Sequence, residues 1–433
     1  MSDVIVIGGG LAGLSAAAAL GGAGHSVRLF ESRPFLGGRA TSYEAGSETI
    51  DNCQHILLRC CVNLIDFYER LGVAKDIRWY PEYIFIEPGG RRSSMRAGML
   101  PAPLHFTESF LTLKFLNFSE KLAVMRGMLA IRRESNRKDL DKISMQQWLL
   151  DHGQPPRAIE RFWRQVLVSA ISEELDRIAA THGFQVFRLA FLARSNAYEM
   201  GVPAVPLGEL YRSDAWSKIG NVQMSLRAPV EEIDIRDGAV HCIRAGGTCH
   251  RADYFVCAVP FERLTNFALP VDVEGFTHAP ITGIHLWFDR PVIDIPQATL
   301  LDRTIQWIFN KHEGRYVQLV VSASYSLTEM PRAEVIGLAL RELAEFFPAT
   351  RDARVEKAHV VKEVRAVLSP RPGLGARRPP TKTSVRNLFL AGDWTAQGWP
   401  AIMEGAVRSG YLAAEAIAEA SGSPRKFLLP DIG

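Results

Sequence analysis

Three features of the 433-residue sequence predict an α/β fold assembled from interleaved pieces. The chain opens on a strand, a glycine turn and a helix; its middle is helical and then strand-like; its final stretch returns to strand and helix. A chain of this length exceeds what one hydrophobic core usually holds, so two domains are expected, one interrupted by the other.

The opening elements are Val4-Ile5-Val6-Ile7, then Gly8-Gly9-Gly10, then Leu11 to Leu20, then Val27-Arg28-Leu29-Phe30, a βαβ half-unit. From Asn63 to Phe191 the pattern is helical. Leu64, Phe67, Tyr68 and Leu71 share a face before Gly72 ends the helix. Ser144 to Gln147 reads as a capping box, and Pro155-Pro156 opens a further helix. Between Val222 and Val259 the period shifts toward two, with Asp237-Gly238 and Gly246-Gly247 as hairpin turns. Strand-like runs follow at 281–288, 305–309 and 316–322, then a helix from Arg332 to Phe347. Leu388-Phe389-Leu390 and a helix from Pro400 to Glu419 close the fold. The Pro/Arg-rich stretch Ser369–Pro380 reads as a linker and Ser421 onward as a tail.

Composition narrows the function classes. With 47% hydrophobic and 22% charged residues the chain has core material enough to exclude disorder. A net charge of +3 argues against a protein built as a whole to bind nucleic acid. Between Arg91 and Arg164, however, basic residues outnumber acidic ones two to one, which predicts a local basic surface. The six cysteines show neither C-x-x-C nor zinc-ligand spacing, so free buried thiols in a reducing compartment and no metal site are expected. Val4 to Ala23 is apolar but interrupted by glycines and preceded by no basic run, unlike a signal peptide or a membrane span. The expected location is cytoplasmic and non-spanning.

The glycine turn is Gly8-x-Gly10-x-x-Gly13, after a strand and opening a helix, the context a dinucleotide fingerprint requires. The first glycine permits the turn, the second lets backbone approach a pyrophosphate, and the third packs helix on sheet. Glu31, at the end of the second strand, can accept hydrogen bonds from a ribose 2′-OH and would repel a 2′-phosphate, which disfavours NADP.

Arg33-Pro-Phe-Leu-Gly37-Gly38-Arg39 resembles the second glycine motif of the amine oxidase and phytoene desaturase flavoprotein superfamily. Gly392-Asp393-Trp-Thr395 with Pro400-Ala-Ile-Met403-Glu404-Gly405-Ala406 resembles its C-terminal flavin motif, and Ala228-Pro229-Val230 its adenine-reading strand. The resemblance implies FAD, a Rossmann-like FAD-binding domain and an interleaved α+β substrate domain. Its implied cofactor contacts are Gly8, Gly10, Gly13, Glu31, Arg33, Gly38, Arg39, Val230, Gly392, Asp393, Pro400 and Met403. The corresponding division makes 1–62, 201–262 and 371–420 three parts of the FAD domain. Residues 63–200 form a helical substrate- and membrane-facing region, 263–370 the substrate-domain sheet, and 421–433 a tail.

Ile50-Asp51-Asn52-Cys53-Gln54-His55, taken with the segment Gly392 to Gly410, looks like the hydroxysqualene dehydroxylases, the squalene-associated FAD enzymes of bacterial hopanoid synthesis. One departure is Cys53, where that family has glycine; a need for positive φ there would strain a cysteine. This resemblance implies reductive removal of an allylic hydroxyl, hydroxysqualene and reduced FAD giving squalene, FAD and water. Asp51 and His55 are the candidate proton donors or relays. Glu404 is a weaker candidate, because a helix N-terminus favours its charged form. Trp394 and Trp399 are candidates for walling the substrate cavity, ordinary core packing being the alternative. Rival readings are a carotenoid-type desaturase or saturase, a flavin amine oxidase, for which no active-site lysine can be placed, and a non-catalytic flavin-bound lipid carrier.

A triterpenoid of roughly thirty carbons would cost on the order of 20 kcal/mol to move into water. The expected partners are therefore the hydrophobic triterpenoid itself, an upstream hydroxysqualene-producing enzyme, and the inner face of a bacterial plasma membrane as a peripheral seat. The apolar cluster Phe106, Phe110, Leu111, Leu113, Phe115, Leu116 and Phe118 precedes a helix capped by Ser119. That helix carries Leu122, Met125, Met128 and Leu129 beside Lys121, Arg126, Arg132 and Arg133, a pattern that fits a core helix with a solvated charged face or the interface of an anionic leaflet.

Overall fold

The computed structural model describes residues 1–46 and 48–432. Strand β1 (Asp3–Ile7), helix α1 (Leu11–Gly22) and strand β2 (Ser26–Phe30) open the chain, followed by hairpin strands β3 (Ser42–Ala45) and β4 (Glu48–Asp51) and helix α2 (Val62–Leu71). Strands β5 (Glu82–Ile86) and β6 (Arg92–Arg96) lead to helices α3 (Thr107–Thr112) and α4 (Phe118–Arg133). After further helices come β7 (Val222–Ser225), β8 (Val230–Arg236), β9 (Ala239–Ala245), β10 (Thr248–His250) and β11 (Tyr254–Cys257). The remaining strands are β12 (His278–Phe288), β13 (Gln297–Leu300), β14 (Trp307–His312) and β15 (Tyr316–Ser322), then helix α5 (Arg332–Phe346) and β16 (Val355–Leu368). Strand β17 (Leu388–Leu390) and helix α6 (Met403–Ala420) end the ordered elements.

One sheet is parallel, in the order β7-β2-β1-β11-β17. Its central strand is buried on both faces, which is why Val4, Ile5 and Val6 form a continuous apolar run with no alternation. Helix α1 is almost wholly buried because α6 lies across it, and its Ala16–Ala19 run keeps the two axes close. A Cβ on Gly410 of α6 would stand 2.1 Å from Ser15 Oγ and 2.3 Å from the Ala12 carbonyl oxygen. Pieces from both ends and the middle of the chain thus share one sheet, whose strands all end at the same edge.

The second sheet has seven strands in the order β16-β12-β15-β14-β13-β5-β6, and α5 packs into its core through Val335, Ala339, Leu343 and Phe346. Four of its members, β5, β6, β13 and β16, were not legible. The hairpin β5–β6 lies in the region expected to be helical; its run Tyr83-Ile84-Phe85-Ile86 is continuously apolar, and periodicity cannot tell such a run from a helix. Strand β16 is an edge strand whose exposed Glu356 and Arg365 break the apolar pattern.

Other local expectations are corrected. Asn117, not Ser119, caps α4: its side chain accepts from Glu120 N at 2.9 Å while Glu120 returns a bond to Asn117 N. Ser144 makes half a capping box, since Gln147 Nε2 bonds Asp151 instead. The stretch read as a linker buries Ser369, Leu374 and Arg378. The tail is clasped: Phe427 and Ile432 are buried, and Leu429 N donates to Asn63 Oδ1 at 2.8 Å. Cys242 and Cys249 are joined as a disulfide across the β9–β10 hairpin, against the expectation of free thiols throughout; Cys53, Cys60, Cys61 and Cys257 are free and buried. Among the described residues, no helix is long and apolar enough to cross a membrane.

Because the α1–α6 contact leaves no room for a methyl group against backbone, Gly410→Ala should lower unfolding free energy by about 1–3 kcal/mol. Chemical denaturation followed by circular dichroism would measure it.

Candidate functional site

The glycine turn, Glu31 and Gly392-Asp393 all lie where strands of the parallel sheet end, the place where open α/β sheets bind ligands. After β1, Gly8 adopts φ +108° and receives no side chain because a Cβ would meet the Ala258 carbonyl oxygen at 2.8 Å. A Cβ on Gly13 would stand 2.0 Å from the Gly8 oxygen, so only glycine lets α1 start this close to the turn. Gly10 is the N-cap of α1 and carries no capping side chain. Gly37 N donates to the Gly9 oxygen at 2.9 Å, and a Cβ on Gly38 would touch Gly10 Cα at 2.9 Å. The two glycine motifs therefore form one backbone-lined groove.

Glu31 is buried at the tip of β2. Its Oε2 accepts from Gly9 N at 2.6 Å and its Oε1 from Arg33 N at 2.7 Å. The Glu31 carbonyl accepts from Ala228 N and the Arg33 carbonyl from Arg227 N, which brings Val230, the first residue of β8, to the same end of the groove. Arg33 also reaches the Gly38 carbonyl at 3.3 Å.

At the other end, Arg39 Nη2 donates to both oxygens of Asp393, at 2.6 and 2.7 Å, and Arg39 Nη1 donates to the Ala366 carbonyl. Desolvation works against the guanidinium's charge, but Asp393 outweighs it and holds the Arg39 pKa above its ordinary value. Gly392, at φ +152°, donates its N–H to Ser409 Oγ at 2.7 Å. The loop beyond it is pinned by two side chains the sequence reading did not single out. Arg378 donates to the carbonyls of Asp393, Trp394 and Trp399, and Gln397 Nε2 to those of Asp393, Trp399 and Pro400. Burial lowers the Arg378 pKa to about 10. The loop delivers Met403 as the first residue of α6, again with no capping side chain at Ile402.

Two uncapped helix starts, a backbone groove free of Cβ atoms and a carboxylate at the strand end fit a dinucleotide with its pyrophosphate. Gly8, Gly10, Gly13, Glu31, Arg33, Gly38, Arg39, Val230, Gly392, Asp393, Pro400 and Met403 are distributed along that one edge. Trp394 and Trp399 pack differently from a cavity wall. Trp394 is fully buried with its indole N–H on the Val259 carbonyl, and Trp399 donates to Asp431 of the C-terminal segment.

Asp51 and His55 follow the second glycine motif. The Asp51 carboxylate is buried, accepting from Ser42 Oγ at 2.7 Å and Leu207 N at 2.9 Å, with Lys311 Nζ 3.5 Å away. Lys311, on β14, also donates to Gln54 Oε1 at 3.0 Å. Its identity as an active-site candidate has no local sequence signal, because the packing of one sheet against another brings it to Asp51. These groups border a cleft of about 320 Å³, walled by Tyr80, Val202, Phe309 and Tyr316. His55 points elsewhere: its Nδ1 lies 2.9 Å from the Cys53 carbonyl oxygen. Burial lowers its pKa, over the opposing pull of the Cys53 and Arg39 backbone carbonyls and Asp51, so the ring is neutral near pH 7. Cys53 is absent from the residues with positive φ, so its backbone is unstrained despite the missing glycine.

Glu404 also differs from expectation. It is fully buried and turned toward α2, where Oε1 accepts from Asn63 Nδ2 at 2.8 Å and Oε2 from Leu64 N at 2.8 Å. Desolvation pushes its pKa up to about 7, outweighing the Asn63, Leu64 and Arg408 contacts. It is a staple between helix starts.

The sequence profile described as flavin containing amine oxidoreductase matches residues 11–418. The chain is 27% identical to the 15-cis-phytoene desaturase of Solanum lycopersicum, over 96% of this chain and 78% of that one. It is 26% identical to the 15-cis-phytoene desaturase of Synechococcus elongatus, over 96% and 95%. A solved putrescine oxidase with bound putrescine superposes with a TM-score of 0.72 at 17% identity, over 96% of this chain and 99% of that one.

The raised Glu404 pKa predicts a pH dependence. The folded state keeps a proton that the unfolded chain releases near its ordinary value of 4.5, so stability falls as pH rises from there to about 7. Glu404→Gln should flatten this slope, worth on the order of 3 kcal/mol at full extent, in denaturant titrations across that window. An unchanged slope would contradict the assignment.

Proposed function

Since the chain belongs to the family of flavin containing amine oxidoreductases, with FAD as its cofactor, we propose that it exchanges hydride with a linear isoprenoid hydrocarbon. The observation that carries this reading is the similarity to phytoene desaturases across 96% of the chain, superposed on a groove whose backbone fits the dinucleotide. In desaturation, two hydrogens leave adjacent substrate carbons, one as hydride and one as a proton, and a double bond forms between them. Bound FAD supplies the hydride acceptor, or when reduced the donor.

A second reading, reductive removal of an allylic hydroxyl, is favoured by Lys311. Its ammonium beside Asp51 and Gln54 faces the cleft and can give a proton to a departing oxygen, so that hydroxide leaves as water while hydride fills the allylic carbon. Asp51, with its oxygens already engaged, serves as the charge partner that holds the Lys311 side chain at the cleft. His55, neutral and tied to backbone, is the poorer donor.

Anaerobic mixing of the holoenzyme with C30 and C40 isoprenoids, flavin absorbance being followed and products weighed by mass spectrometry, tests both. Oxidised enzyme bleached by a hydrocarbon substrate supports desaturation; reduced enzyme reoxidised by an allylic alcohol supports dehydroxylation. Lys311→Met should slow the latter by about 10²-fold or more, and His55→Ala by much less. Flavin that exchanges with no isoprenoid in either redox state would overturn the proposal.

A further inference from the structure

Exposed apolar side chains are not spread evenly over this protein. Of the twelve large hydrophobic residues that stand exposed among the described residues, seven lie between 99 and 129. The sequence left the cluster 106–118 between a membrane surface and a core; Phe110, Leu113, Phe115 and Leu116 are core residues. What remains outside is more selective. Met99, Leu100 and Leu104 occupy the loop after β6; Leu111 stands exposed in the last turn of α3.

On α4, Phe118, Leu122 and Leu129 follow one line along the helix, at spacings of four and seven, with Phe118 70% and Leu129 54% exposed. Exposed Arg126 and Arg133 fall beside that line, while Ala123, Val124, Gly127 and Ile131 face the core. The pieces are tied into one surface: Lys121 Nζ donates to the Leu111 carbonyl at 2.6 Å, Ser109 Oγ to the Arg96 carbonyl at 2.7 Å, and Gly98 N to the His105 carbonyl.

Charge complements the apolar line. Arg96, Lys114, Arg126, Arg132 and Arg133 are exposed, whereas the acidic residues between 96 and 133 are Glu108 and Glu120, the latter buried in the α4 cap with Arg157 at 3.8 Å. Apolar side chains ringed by cations match the interface of an anionic bilayer, where the former enter the acyl boundary and the latter sit at headgroup level. A protein partner would be expected to pair or bury some of these charges, and the patch offers only Glu108 of opposite sign.

We propose that the loop 99–104, the end of α3 and the outer line of α4 form the surface by which this protein docks on an anionic membrane leaflet. The docking serves the lipid-substrate reading above but is read from exposure and charge, and it can be measured without turnover, so either can fail alone.

Co-sedimentation of the holoenzyme with phosphatidylcholine vesicles, with and without phosphatidylserine, tests it. Binding should require phosphatidylserine, weaken with salt, and drop about tenfold or more in the Phe118→Ser/Leu122→Ser/Leu129→Ser variant. Arg126→Gln/Arg133→Gln should weaken it with melting temperature unchanged, which separates docking from folding. The proposal is overturned if wild-type protein stays in the supernatant with anionic vesicles at low salt. Unchanged binding of both variants would also overturn it, as would a concentration-dependent dimer in sedimentation velocity that the triple serine variant abolishes.

Discussion

The bidentate pair between Arg39 and Asp393 joins residues 354 positions apart and sets the geometry on which the site depends. Asp393 is largely buried, and the arginine side chain is one-third exposed. Leaving one partner of such a pair alone typically costs 3–5 kcal/mol, roughly, when both are buried, and less here because water reaches the arginine. The pair is supported from both sides. Asn52 Nδ2 donates to the Arg39 carbonyl at 2.8 Å, and Arg378 grips the Asp393 carbonyl. The N-terminal glycine groove and the C-terminal loop are thereby fixed relative to one another before any cofactor contact is counted.

Electrostatics along that edge are consistent with an anionic ligand. The starts of α1 and α6 each present open backbone amides, and Arg33 adds positive charge beside the glycine turn, Arg39 being matched by Asp393. The buried carboxylates are directed away from this groove or already satisfied. Glu404 is spent on the amides of α2, and Asp51 on Ser42, Leu207 and Lys311. Charge in the cleft beside Asp51 is thus dominated by Lys311 and the exposed Arg78.

Much of the nucleotide half was legible because local backbone geometry dictates it. A turn at φ +108° and a helix residue, Gly13, whose Cβ would stand 2.0 Å from the turn's Gly8 oxygen require glycine, and glycine is visible in a sequence. The FAD reading came from motifs of the same kind at Gly38, Arg39 and Gly392. The chemical half was not legible to the same degree. Lys311 reaches Asp51 only through the register of β14 with β15 and the packing of that sheet over residues 52–53, and no nearby residue announces it. Arg378 was hidden in a Pro/Arg-rich stretch whose composition resembles a linker while its side chain is buried. Glu404 sat where a helix start would favour its charge, and burial reversed the sign. The hairpin β5–β6 was missed because its apolar run fits a helix as well as a strand, and the edge strand β16 because its pairing partner β12 lies some seventy residues away and its exposed charges break the pattern.

The Arg39–Asp393 pair is expected to couple the two chain ends into one FAD site. A double-mutant cycle on FAD affinity, using Arg39→Met, Asp393→Ala and the combined variant with apoprotein titrated by flavin fluorescence, tests this most directly. Each single change should weaken FAD, and the double should cost less than the sum by about 1–3 kcal/mol. Additive losses, or FAD affinity untouched by either change, would contradict it.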